Sequence, residues 1–176
     1  MTNLAWNVER VLPSAIADLH KLISIPSISS MPEHDADVAA CAEAVAGLFQ
    51  DLGASEVKFL EGGGKPAVWA NFPGPEGTPT VLLYAHYDVQ PTGDIEAWTS
   101  PAFEPTERDG RLYARGSADD KGGVALHLAA LRVFNGAPPV GVKVFIEGEE
   151  EIGSPTMPTL LDRYRDELAA DVYVVA

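Results

Sequence analysis

Three short segments of this chain bring together residue types that hold divalent cations and move protons. His86 and Asp88 lie in YAHYDVQP, Asp119 and Asp120 in ARGSADDKGG, and Glu149, Glu150 and Glu151 in EGEEEIGS. Imidazole nitrogens and carboxylate oxygens are ligands for zinc and related ions, and a carboxylate kept off the metal can take a proton from activated water. Each segment falls where an apolar run gives way to polar or Gly-rich sequence, as at one edge of a sheet. The chemistry this suggests is metal-dependent hydrolysis.

Each segment also has a plainer reading. In His86-Tyr87-Asp88, extended backbone puts residues two apart on one face, so Asp88 can hold one imidazole nitrogen while the other meets a metal. A strand-end histidine beside a turn aspartate is spelled the same way. Asp119 or Asp120 can cap the helix that opens with Lys121, Gly122 and Gly123, while the other bridges two cations through its two oxygens. Lys121 then balances their charge, and the glycines let the helix pack closely. Three consecutive glutamates usually mark a solvated loop or a helix start, yet these follow VKVFI, apolar enough for a buried strand. A metal supplies the missing counter-charge if one glutamate binds it and its neighbour acts as the base.

The elements that position these groups are legible from periodicity. Val8, Leu12, Ile16, Leu19 and Ile23 recur at helical spacing before Pro26 and the loop SISSMP. A second helix is expected from about Asp35 to Leu52, with Val38, Cys41, Ala42, Val45, Leu48 and Phe49 on its apolar face and Gly53 as its stop. Strand patterns follow at Glu56 to Leu60, Ala67 to Phe72 and Thr80 to Ala85, the last apolar on both faces and so central. RDGRLYAR reads as a turn and short strand, Lys121 to Phe134 as a helix, VGVKVFIEG as a second core strand, Met157 to Leu168 as a helix and DVYVVA as a third strand. The order predicts an α/β fold, a mostly parallel mixed sheet flanked by helices. His86 and Glu149 to Glu151 then share the carboxyl edge of the sheet, where open α/β sheets collect their ligands.

Composition narrows the function further. The 176 residues are 46% hydrophobic, enough for one buried core, and carry a net charge of −14. That charge argues against nucleic acid or an anionic membrane as partner, and it favours a bound cation. No basic-then-apolar leader opens the chain and no stretch approaches the roughly 20 apolar residues of a membrane span, so a cytoplasmic location is expected. The single Cys41, in a helical apolar pattern, agrees with a reducing compartment. G-x-S-x-G, C-x-x-C, H-E-x-x-H and Walker motifs are absent, and His20, His34 and His127 sit in contexts that read as structural or exposed.

Taken with the segment from Trp98 to Phe103, the three motifs resemble the di-zinc metallopeptidase family of carnosinases, bacterial dipeptidases, glutamate carboxypeptidases, acetylornithine deacetylase and succinyl-diaminopimelate desuccinylase. The YDVQP and GSADDKG wording is most similar to the dipeptidase and carnosinase branch. The resemblance implies that His86 ligates one zinc, Asp119 bridges two, Glu151 ligates the other, Asp88 orients His86, and Glu150 is the general base. It makes Glu149 a bystander and places a cis peptide between Asp119 and Asp120. The implied reaction is amide hydrolysis of a dipeptide or N-acyl amino acid by water activated between two zinc ions, with manganese or cobalt as alternative metals.

The family pattern also implies an acidic ligand just after DVYVVA, a distant final histidine and an inserted lid domain; none lies within residues 1–176. The expectation is therefore the N-terminal part of a catalytic domain, weakly active or inactive by itself, with a homodimer open to the full-length protein. The contrasting expectation, from another functional class, is a non-catalytic acidic metal-binding or interaction module on the same fold.

Overall fold

The computed structural model describes residues 4–176, with side chains from residue 7 onward. Two helices open it, α1 (Leu4–Ile23) and α2 (Asp35–Asp51), joined by a connector whose Ser27, Ile28 and Ser29 are buried. In α2 all six residues expected on the apolar face are buried, and Gly53, at φ 93°, ends the element. A left-handed backbone there suits a residue without Cβ. In α1 the buried stripe is offset from the expected one: Val11, Ala15, Leu22 and Ile23 face inward, while Val8 and Leu12 are exposed. The helix rests mainly on α3 (Lys121–Val133), with Asp18 paired to Arg132 at 2.7 Å, and this contact selects the stripe.

The strands are β1 (Glu56–Leu60), β2 (Ala67–Phe72), β3 (Thr80–His86), β4 (Thr106–Arg108), β5 (Arg111–Tyr113), β6 (Gly141–Glu147) and β7 (Val172–Val175). β4 and β5 form a separate hairpin, turned by Asp109 and Gly110, both at positive φ. The others make one sheet in the order β1-β2-β6-β3-β7. β3 lies parallel to β6 and β7, whereas β2 is antiparallel to β6 and to β1, so β2 alone runs against the rest of this mixed sheet.

Alternation along the strands divides the core in two. Val68, Ala70, Phe72, Val142, Val144 and Ile146 meet α2 and α3 on one face. Ala67, Trp69, Leu82 and Phe145 meet Leu160 and Leu168 on the other, from α4 (Met157–Arg163) and α5 (Arg165–Leu168). The single helix expected over 157–168 is thus broken at Tyr164, whose hydroxyl accepts the Glu61 N–H at 3.1 Å. Among the described residues, no helix is long and apolar enough to cross a membrane.

Candidate metal centre

His86 is the last residue of β3 and pairs in register with Glu147, the last of β6. Two parallel strands therefore deliver their carboxyl ends side by side. The chain continues from β6 through Gly148, where a Cβ would lie 2.2 Å from the Tyr87 Oη, so the close crossing of these segments excludes a side chain. Glu150 to Ile152 then form one 3-10 turn directly over the 86–90 segment.

Asp88 joins the two segments. It has no exposed surface, and its carboxylate accepts the Glu150 N–H at 3.2 Å, the Glu151 N–H at 3.1 Å and the Ser29 hydroxyl at 2.6 Å. Its Oδ1 also lies 3.3 Å from His86 Nδ1, which sits 3.1 Å from the Asp88 carbonyl oxygen. With acceptors on both sides, Nδ1 carries a hydrogen and Nε2 turns outward. Burial works against charging His86, but Asp88, then Asp120, outweigh it and push its pKa up to about 9.

The third segment enters from α3. Asp119 is largely exposed, and its Oδ1 stands 3.0 Å from His86 Nε2. The Asp119–Asp120 peptide is cis. Asp120 occupies the position before α3 but makes no side-chain cap; it is buried, and its Oδ2 accepts the His86 N–H at 3.0 Å. Burial raises its pKa, and the His86 hydrogen bond opposes the rise. Lys121 likewise departs from the charge-balancing role expected of it. Its fully buried ammonium donates to the carbonyls of Leu22 at 2.8 Å and Ile25 at 2.6 Å, at the end of α1, and burial lowers its pKa.

His86, Asp119 and Glu151 each offer a ligand atom, all within 4.8 Å of one another. An outward imidazole nitrogen facing carboxylate oxygens needs a positive charge between them, and a divalent ion or a proton answers that need. The nitrogen-and-oxygen donor set suits zinc, manganese or cobalt. Glu150 stands at the rim, half exposed, with Oε2 3.7 Å from His86 Nε2. The five residues to which the resemblance gives roles, His86, Asp88, Asp119, Glu150 and Glu151, are thus gathered at one end of the sheet.

Other residues of the site escape a reading by motif. Gln90 donates its amide to the Glu151 carboxylate at 2.8 Å and to the Glu151 carbonyl at 3.1 Å. Its two-residue spacing from Asp88 was the available signal. Glu149 is no solvated neighbour: it is buried, accepts the Lys65 N–H at 3.0 Å and is held by the Thr156 hydroxyl. Glu147 accepts from Tyr84 at 2.5 Å and Ser154 at 2.9 Å; burial raises its pKa against those two bonds. Ser29 lay in an apparent loop with no signal at all.

Residues 82–176 match peptidase family M20/M25/M40. The chain belongs to this family. A cysteinylglycine-S-conjugate dipeptidase of Corynebacterium striatum is 37% identical across 98% of the chain. Human carnosine dipeptidase 1 superposes over 98% of it with a TM-score of 0.90 and 27% identity. An M20 family metallo-carboxypeptidase of Sulfolobus solfataricus covers 92% at a TM-score of 0.77 and 32% identity. The chain spans 38%, 40% and 36% of these three proteins, respectively. Membership of this metallopeptidase family implies a divalent metal, and the cluster at His86 has the donors for one.

Proposed function

We propose that the protein hydrolyses the amide bond of a dipeptide or N-acyl amino acid at a metal centre held by His86, Asp119 and Glu151, with Glu150 as general base. The observation that carries this reading is the convergence of those three donors within 4.8 Å, with the Glu150 carboxylate at their rim. The relatives named above support peptides as the substrate class. Zinc is the favoured ion, two of them if Asp119 uses both oxygens. The bound metal would lower the pKa of water and polarise the scissile carbonyl.

The chain's own groups do the rest. Asp88 fixes the His86 ring through Nδ1 and holds the backbone of Glu150 and Glu151, so base and ligand keep one spacing. Gln90 steadies the Glu151 carboxylate. Glu150 takes the proton of the attacking water onto a carboxylate oxygen, retains it while the carbonyl carbon becomes tetrahedral, and passes it to the departing amine nitrogen. That proton transfer turns a poor amide leaving group into a neutral amine.

The test is a panel of dipeptides and N-acyl amino acids given to the full natural chain, before and after chelation and after zinc is restored. Hydrolysis lost on chelation and regained with zinc is expected. Turnover indifferent to chelator overturns the reading, and zinc binding without turnover of any substrate favours a non-catalytic metal-binding module.

A further inference from the structure

We propose that Ser29, in the connector between α1 and α2, is a positioning residue of the metal centre, acting through Asp88. The inference rests on the metal-centre reading and extends it to a residue 59 positions before that aspartate. The Ser29 hydroxyl donates to Asp88 Oδ2 at 2.6 Å, the shortest contact that carboxylate makes, and Ser29 is only 6% exposed. The same Oδ2 receives the Glu151 N–H, while Oδ1 serves Glu150 and His86. One hydroxyl therefore sets the rotation of a carboxylate whose two oxygens are shared among a metal donor, the base and a second donor's backbone.

The connector is built to hold that hydroxyl still. Its backbone does this, with Val89 N–H donating to the Ser27 carbonyl at 3.0 Å and Ile28 bridging Val89 in parallel, contacts that need no side chain. From the other side, Lys121 binds the Leu22 and Ile25 carbonyls, tying the start of the connector to the helix that follows Asp119. The connector thus grips two of the three site segments directly. It reaches the third, Glu150 and Glu151, through Asp88.

Truncating Ser29 to alanine leaves Asp88 with two backbone donors and the imidazole but no buried hydroxyl to fix its rotation. The ligand spacing loosens without any ligand being removed. Ser27 is the internal comparison, because its hydroxyl lies on the same connector but ends on a backbone carbonyl and touches no carboxylate.

The experiment uses the full natural protein, stripped of metal, with zinc affinity read by chelator competition and kcat and KM read on a cleaved dipeptide. Loss of a partner directly behind a metal ligand typically weakens binding about 10–100-fold, and Ser29→Ala, one contact further back through Asp88, is expected at the lower end, about 10-fold. At saturating zinc its kcat falls while KM changes little, and Ser29→Thr restores most of both. Ser27→Ala lowers the melting temperature but keeps zinc affinity near wild type. Ser29→Cys, similar in volume but a weak donor, gives a partial loss and serves where alanine unfolds the protein. Wild-type zinc affinity and kcat in the alanine or cysteine variant, or equal weakening by the Ser27 and Ser29 changes, overturns the inference alone. A wild-type protein that takes up no zinc overturns it together with the metal-centre reading.

Discussion

Asp88→Asn isolates the joint between the His86 segment and the glutamate turn, because it changes charge and one acceptor while keeping shape. In the wild type, two carboxylate oxygens receive four groups: the Ser29 hydroxyl, the Glu150 and Glu151 N–H and, at 3.3 Å, His86 Nδ1. Asparagine has one oxygen and one NH2. With NH2 in the Oδ1 place, both the Glu150 N–H and the imidazole N–H face a donor. With NH2 in the Oδ2 place, the serine hydroxyl can turn to accept, and only the Glu151 N–H is stranded. The second arrangement is cheaper, and one deprived donor in this buried position costs about 1–3 kcal/mol. For a chain of this length that lowers the melting temperature by about 2–12 °C. Zinc affinity is expected to weaken by about 10–100-fold, because the Glu151 backbone loses its acceptor and the imidazole N–H faces a neutral amide oxygen in place of a carboxylate. Thermal melts of the metal-free protein and chelator-competition titrations with zinc measure the two quantities. An Asp88→Asn variant with unchanged melting temperature and unchanged zinc affinity refutes the idea that this carboxylate holds the centre together.

Glu150→Gln should lower kcat by about 10²–10⁴ while leaving zinc affinity intact, as loss of a general base does; a parallel loss of bound zinc in metal analysis contradicts its role. Glu149→Ala should cost about 1–3 kcal/mol in urea unfolding, because the Lys65 N–H loses its acceptor, yet the folded variant should keep its kcat. His127 offers a pH test: burial lowers its pKa, with its hydrogen bond to the Tyr84 carbonyl and then Asp120 opposing. The unfolded chain therefore binds that proton more tightly, so the contribution is full above pH 6.5 and is lost as pH falls toward the depressed folded value. His127→Gln, which still donates to the carbonyl, should flatten the fall in melting temperature below pH 6.5, and an unchanged slope speaks against it.

Much of this molecule follows from residue order alone. The apolar stripe of α2, the strands β2, β3 and β6 and the turn at Asp109 and Gly110 are local matters of period, burial and turn chemistry, and their limits were legible to within a residue or two. The grouping of His86 with the glutamates was legible for a related reason, since parallel strands align their carboxyl ends. The resemblance of the motifs then matched the family to which the chain belongs. What the order of residues left open were choices settled by partners distant in the chain. The stripe of α1 was chosen by α3, the break at Tyr164 accompanies a contact with Glu61, and Asp120 turned one oxygen to a strand N–H. Lys121 found two carbonyls nearly a hundred residues earlier, and Ser29 found Asp88. Short-range pattern records which face of an element is apolar. Only the assembled fold decides which buried polar group meets which, because a desolvated donor or acceptor must be satisfied wherever the packing brings a partner.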